Sequence, residues 1–130
     1  MSDIEAKLDY LESSLRLSNK AFQLAFLILN AKEGGNVLLS SFEQLGGIVK
    51  SLNDEYLLNL YSEIIRSPRN IGSPQKIEIG ELYTFLHRLS SLVYESAAKA
   101  NEADIDLRES LQLPADTGIW GKRGWRPPIT

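Results

Sequence analysis

The chain has 130 residues, 43% of them hydrophobic and 24% charged, with a net charge of −3 and no cysteine. That length and balance predict one globular domain able to bury roughly two-thirds of its unfolded surface, and they argue against wholesale disorder. The missing cysteine excludes disulfides, zinc–thiolate sites and cysteine nucleophiles. The charge is uneven. From Leu113 to Thr130 the cations Lys122, Arg123 and Arg126 face one anion, Asp116, so that segment carries +2 of the total −3 and the body before it −5. An acidic body repels nucleic acid and acidic membranes over most of its surface, which leaves any such binding to the C-terminal tail.

The N-terminus has no basic start leading into an apolar run, as a secretory signal would. The longest nearly apolar stretch, Ala21 to Leu29, falls far short of the ~20 residues a membrane-spanning helix needs. A soluble cytoplasmic protein is the expectation.

The first predicted helix runs from about Asp3 to Ala31. Ile4, Leu8, Leu11, Leu15, Ser18, Phe22, Ala25 and Leu29 alternate spacings of four and three, a heptad-like seam with two weak positions. Ser2 or Asp3 can cap its start, and Asp3 and Glu5 suit the positive end of the helix dipole. Up to Leu15 the seam is narrow and flanked by charge. From Ala21 to Ala31 the helix is apolar almost all round, which predicts cover on every side and a place at the centre of the core. Gly34 and Gly35 should end the element.

A second helix is expected from about Ser41 to Leu52, opened by a capping box at Ser40 or Ser41. Gly46 and Gly47 interrupt it, either for close contact with a neighbouring helix or as a break between two short helices. A third helix should run from Asp54 to Arg66, with Asn53 as its cap and Ser67–Pro68 as its stop. The stretch Ser67 to Gln75 reads as a loop. The fourth element should start between Ile77 and Leu82 and continue toward Leu111, with a break marked by Asp104 and Asp106. The predicted fold class is all-α: a compact bundle of about four helices over residues 1–112, followed by an irregular Pro/Gly/Trp-rich tail over residues 113–130.

Catalytic chemistry is sparse. The single histidine, His87, has no second His or Cys to share a metal with, and as a base it needs an orienting group in reach. Carboxylates alone can hold Mg²⁺. Glu78 and Glu81 make an E-x-x-E pair, but the E-x-x-D that completes the pattern of all-helical nucleotide pyrophosphatases fails, because Ile105 stands three residues after Glu102. No phosphate-cradling glycine motif is present.

The tail interleaves Trp120, Lys122, Arg123, Trp125 and Arg126 with glycine and proline. Three readings are open: the indoles fill a groove on the helical body, the segment is a recognition peptide, or its cations and rings bind nucleic acid. The expected function is a non-enzymatic protein-binding module: an adaptor, a stoichiometric inhibitor of phage or mobile-element type, or an assembly factor. It would act through the first helix, the tail, or both. The expected partner-binding residues are Trp120, Lys122, Arg123, Trp125 and Arg126. The expected homodimer seam is Ile4, Leu8, Leu11 and Leu15. No cofactor and no metal are expected. The alternatives are a nucleic-acid-binding protein using the tail and a metal-dependent helical phosphohydrolase using Glu78, Glu81, Glu102 and Asp106.

Overall fold

The computed structural model describes residues 3–69 and 74–112. Its element order is α1 (Asp3–Asn30), β1 (Asn36–Leu38), α2 (Leu39–Glu43), α3 (Gly46–Ser51), α4 (Glu55–Arg66), β2 (Lys76–Glu78), a 3-10 turn (Ile79–Leu82) and α5 (Tyr83–Leu111). The fold is all-α, with one short antiparallel strand pair among the described residues. None of its helices is long and apolar enough to cross a membrane among the described residues. The chain divides into two units, one drawing on residues 3–18 and 94–112, the other on Asn19–Val93.

In the second unit, Gly34 and Gly35 take φ of +56° and +83°, a region open to glycine at no steric cost. They turn the chain out of α1 into β1. The pair β1–β2 is in register at Asn36–Glu78, Val37–Ile77 and Leu38–Lys76. Its central residues, Val37 and Ile77, are both buried, so the pair is anchored by a single apolar rung. Neither three-residue strand is long enough to show alternation in the sequence, which is why only helices and a loop were expected there.

The core of this unit gathers Ala21, Leu24 and Ile28 with Phe42, Val49, Leu57, Ile64, Leu82, Phe85 and Leu89. Phe42 is its hub. Its ring lies 5.3 Å from Phe85, edge to face, and 4.9 Å from Tyr61, both within the range where aromatic pairs add to area burial. Gly46 and Gly47 mark a break rather than a helix interior: α2 stops at Glu43 and α3 starts at Gly46. Close contact also operates, because a Cβ on Gly46 would lie 3.0 Å from the Tyr61 hydroxyl.

Three local expectations are corrected. Helix α2 starts at Leu39 with Leu38 before it and no side-chain cap; strand pairing keeps the chain extended through Leu38, so the helix opens directly off the strand and the Ser40/Ser41 box is not used. The cap of α4 is Asp54, whose carboxylate accepts from the Leu57 amide at 3.0 Å, while Asn53 sits at φ +54° and makes the turn. Residues 83–111 form one unbroken helix. Asp104 is tied to Arg108 one turn on at 3.1 Å, and Ala100, Ala103 and Leu107 stay buried on one face, so the aspartates do not break the helical period.

The fourth correction concerns α1. Its second half is not covered on every side. Ala21, Leu24 and Ile28 are buried, whereas Phe22, Phe26, Leu27 and Leu29 are exposed. Spacings of three and four give a helix one core-facing stripe, and here that stripe belongs to the smaller side chains.

Candidate functional site

The exposed apolar surface of α1 follows from that choice of face. In the second unit, Phe22, Phe26 and Leu29 succeed one another at spacings of four and three, so they share one side of the helix. They are 59%, 55% and 48% exposed. The rings of Phe22 and Phe26 stack at 6.3 Å with their planes 12° apart. Each ring thus shields part of the other while the outer surface of the pair meets solvent. Completing the burial of two half-exposed phenylalanines releases roughly 1 kcal/mol each. Lone apolar residues on a surface need no explanation, but a contiguous set is a usual mark of an interaction site.

In the first unit, the expected dimer seam is split by burial. Leu8 and Leu15, seven residues apart, are about half exposed, while Ile4 and Leu11 are half-buried. This unit also holds a groove of about 490 Å³ between the start of α1 and the end of α5. It is lined by Ala6, Lys7 and Tyr10 on one side and by Glu102, Ala103, Ile105, Asp106 and Glu109 on the other. Lys7 fixes one wall. Its ammonium lies 3.3 Å from Asp3 and 3.5 Å from Asp106 and donates to the Ser110 hydroxyl. Partial burial works against its charge, yet the two carboxylates outweigh that and hold its pKa above the ordinary lysine value.

No protein-family model, no curated protein and no solved structure matches this chain. Its function is therefore read from its exposed faces and grooves alone.

The remaining candidates separate. Glu78 and Glu81 form a reciprocal capping box at the 3-10 turn, with the Glu78 amide donating to Glu81 at 3.2 Å. Glu81 also pairs with Arg69 at 3.2 Å, and Arg69 donates to the carbonyls of Ile64 and Ser67 at the end of α4. Glu102 and Asp106 belong to the other unit. Among the described residues, no group of three or more His, Cys, Asp or Glu side chains could hold a metal ion. His87 is exposed and stacks on Tyr83 at 6.0 Å. Trp120, Lys122, Arg123, Trp125 and Arg126 lie outside the described residues. Sequence reasoning missed Phe26 as a surface residue and missed the groove residues Tyr10 and Ile105. Phe26 carried a usable signal, since it stands four residues after Phe22 and off the Ala21–Leu24–Ile28 stripe.

Proposed function

We propose that this protein is a non-enzymatic protein-binding module, an adaptor, stoichiometric inhibitor or assembly factor, whose partner face is the solvent side of α1. The observation that carries the reading is the stacked Phe22–Phe26 pair, more than half exposed on a helix whose opposite side is core. Aromatic residues, phenylalanine among them, are enriched at protein interfaces, and an amphipathic helix face is a common docking element.

The partner class is an apolar helix or groove, and a second copy of the chain is one such partner. Leu8 and Leu15 give the first unit an exposed apolar row of its own, at the heptad spacing that helix pairs use. Sedimentation across a concentration series tests the homodimer. The wild type should form a dimer that Leu8→Glu/Leu15→Glu dissociates. A wild-type mass that stays monomeric at every concentration, or a dimer that persists in the variant, removes that interface. Nucleic-acid binding and metal-dependent hydrolysis gain no support from a specific contact among the described residues.

A further inference from the structure

The groove of the first unit sets Ala6, Ala103 and Ile105 beside an acidic wall on α5. Ala103 is buried, and Tyr10 and Ile105 are each about half exposed. The lining holds three carboxylates, Glu102, Asp106 and Glu109, against one ammonium, Lys7, a net of −2. A complementary occupant carries aromatic rings and about two excess positive charges. The chain contains one such segment. Residues 113–130 hold both tryptophans of the protein and a net charge of +2.

Helix α5 closes within one turn of Glu109, a groove residue. Gln112 takes φ +59°, a left-handed residue of the kind that closes helices and turns the chain off the axis. Its amide donates to Glu109 at 3.2 Å, and Glu109 itself lines the groove. From Glu109 back to Glu102 the helix rises about 10 Å. Eight residues of chain beyond Gln112 reach up to ~26 Å, so Trp120 can be brought to any point along the groove.

We propose that residues 113–130 seat in this groove of the same chain, with an indole of Trp120 or Trp125 against Tyr10, Ala103 and Ile105 and the cations Lys122, Arg123 and Arg126 along Glu102, Asp106 and Glu109. This does not rest on the reading of Phe22 and Phe26 as a partner face. It gives the basic-aromatic tail an intramolecular occupancy and leaves α1's solvent side to partners.

The test uses the full chain. Both tryptophans fall in residues 113–130, so tryptophan emission reports on that segment alone. The reference for a solvated tail is a free peptide of the same residues. The full chain should emit to the blue of the peptide, resist acrylamide quenching several-fold better, and do so equally at all protein concentrations. Glu102→Lys/Glu109→Lys and, separately, Ile105→Asp should return both readings to the peptide's, with far-UV circular dichroism unchanged. All three positions are exposed; should Ile105→Asp disturb the fold, the charge-reversal variant decides alone. Peptide-like emission from the wild type overturns the proposal, as does a blue shift that the groove variants leave in place. A blue shift that grows with concentration overturns it in favour of a second copy's tail. A blue shift lost in Phe22→Glu/Phe26→Glu but kept in the groove variants moves the tail to α1 and overturns it too.

Discussion

Arg88 holds both carboxylate oxygens of Asp54, Nε to Oδ2 at 2.9 Å and Nη2 to Oδ1 at 2.7 Å. Asp54 also accepts from the Leu57 amide, so one side chain caps α4 and fastens it to α5. The guanidinium lies 5.8 Å from the centre of the Tyr56 ring, which covers it on another side. These bonds, the Arg88 pair first, outweigh partial desolvation and hold the Asp54 pKa below the ordinary aspartate value.

Asp54→Ala is expected to lower stability by about 2–3 kcal/mol, of which ~1 is the lost cap and the rest the charge-assisted pair. The pH dependence follows from the depressed pKa. The contribution is fully present above the unfolded-state aspartate pKa of about 3.9 and is lost as pH falls through the folded-state value. Urea titrations of wild type and Asp54→Asn should therefore differ by a constant amount near neutrality and converge in acid. A gap that stays constant into strong acid contradicts the assignment.

The Tyr61 hydroxyl shares its proton between the carbonyls of Phe42 at 3.1 Å and Glu43 at 3.0 Å. It tethers the end of α2 just before the Gly46 turn. Gly46→Ala gains up to ~1 kcal/mol of helix propensity but pushes on that hydroxyl. In the wild type the two effects should roughly cancel. In Tyr61→Phe the obstruction is gone, and Gly46→Ala should stabilise. A thermodynamic cycle is expected to give a coupling of about 1 kcal/mol; strict additivity would mean the two groups do not meet.

Two pairs of phenylalanines should behave oppositely. Phe42 and Phe85 are buried and in contact, and Phe42→Ala is expected to cost about 3–5 kcal/mol. Phe22→Ser and Phe26→Ser should each change monomer stability by no more than ~0.5 kcal/mol, as surface substitutions do. Denaturant midpoints measured at low protein concentration check this. A loss at Phe22 comparable to that at Phe42 would place Phe22 in the core.

Mg²⁺ and Mn²⁺ are expected to leave the melting temperature unchanged. The Glu78 and Glu81 carboxylates already bond to backbone amides, and Glu81 to Arg69 as well. A cation that stabilises the wild type but not Glu78→Gln/Glu81→Gln would show an occupied site there.

The extent of α1 was plain in the sequence, but its core face was not. The helix offers two stripes whose members stand three, four or seven residues apart. One runs through Leu8, Leu15, Phe22 and Leu29, the other through Ser14, Ala21, Leu24 and Ile28. Hydrophobicity favours the first, and the structure buries the second. Periodicity shows that a helix is amphipathic, yet where apolar residues stand on all sides, the surrounding elements choose the face. α4 was legible because its polar and apolar sides are cleanly divided. The strand pair was not, since one buried rung, Val37–Ile77, leaves no pattern. The groove was invisible for a related reason: its walls come from residues about a hundred positions apart.

The most direct test of the partner face on α1 is quantitative pull-down from native lysate, comparing wild type with Phe22→Glu/Phe26→Glu, both confirmed folded by circular dichroism. The account predicts a protein, the chain itself or another, held by the wild type at fixed stoichiometry and lost from the variant. The same protein held equally by both would contradict it.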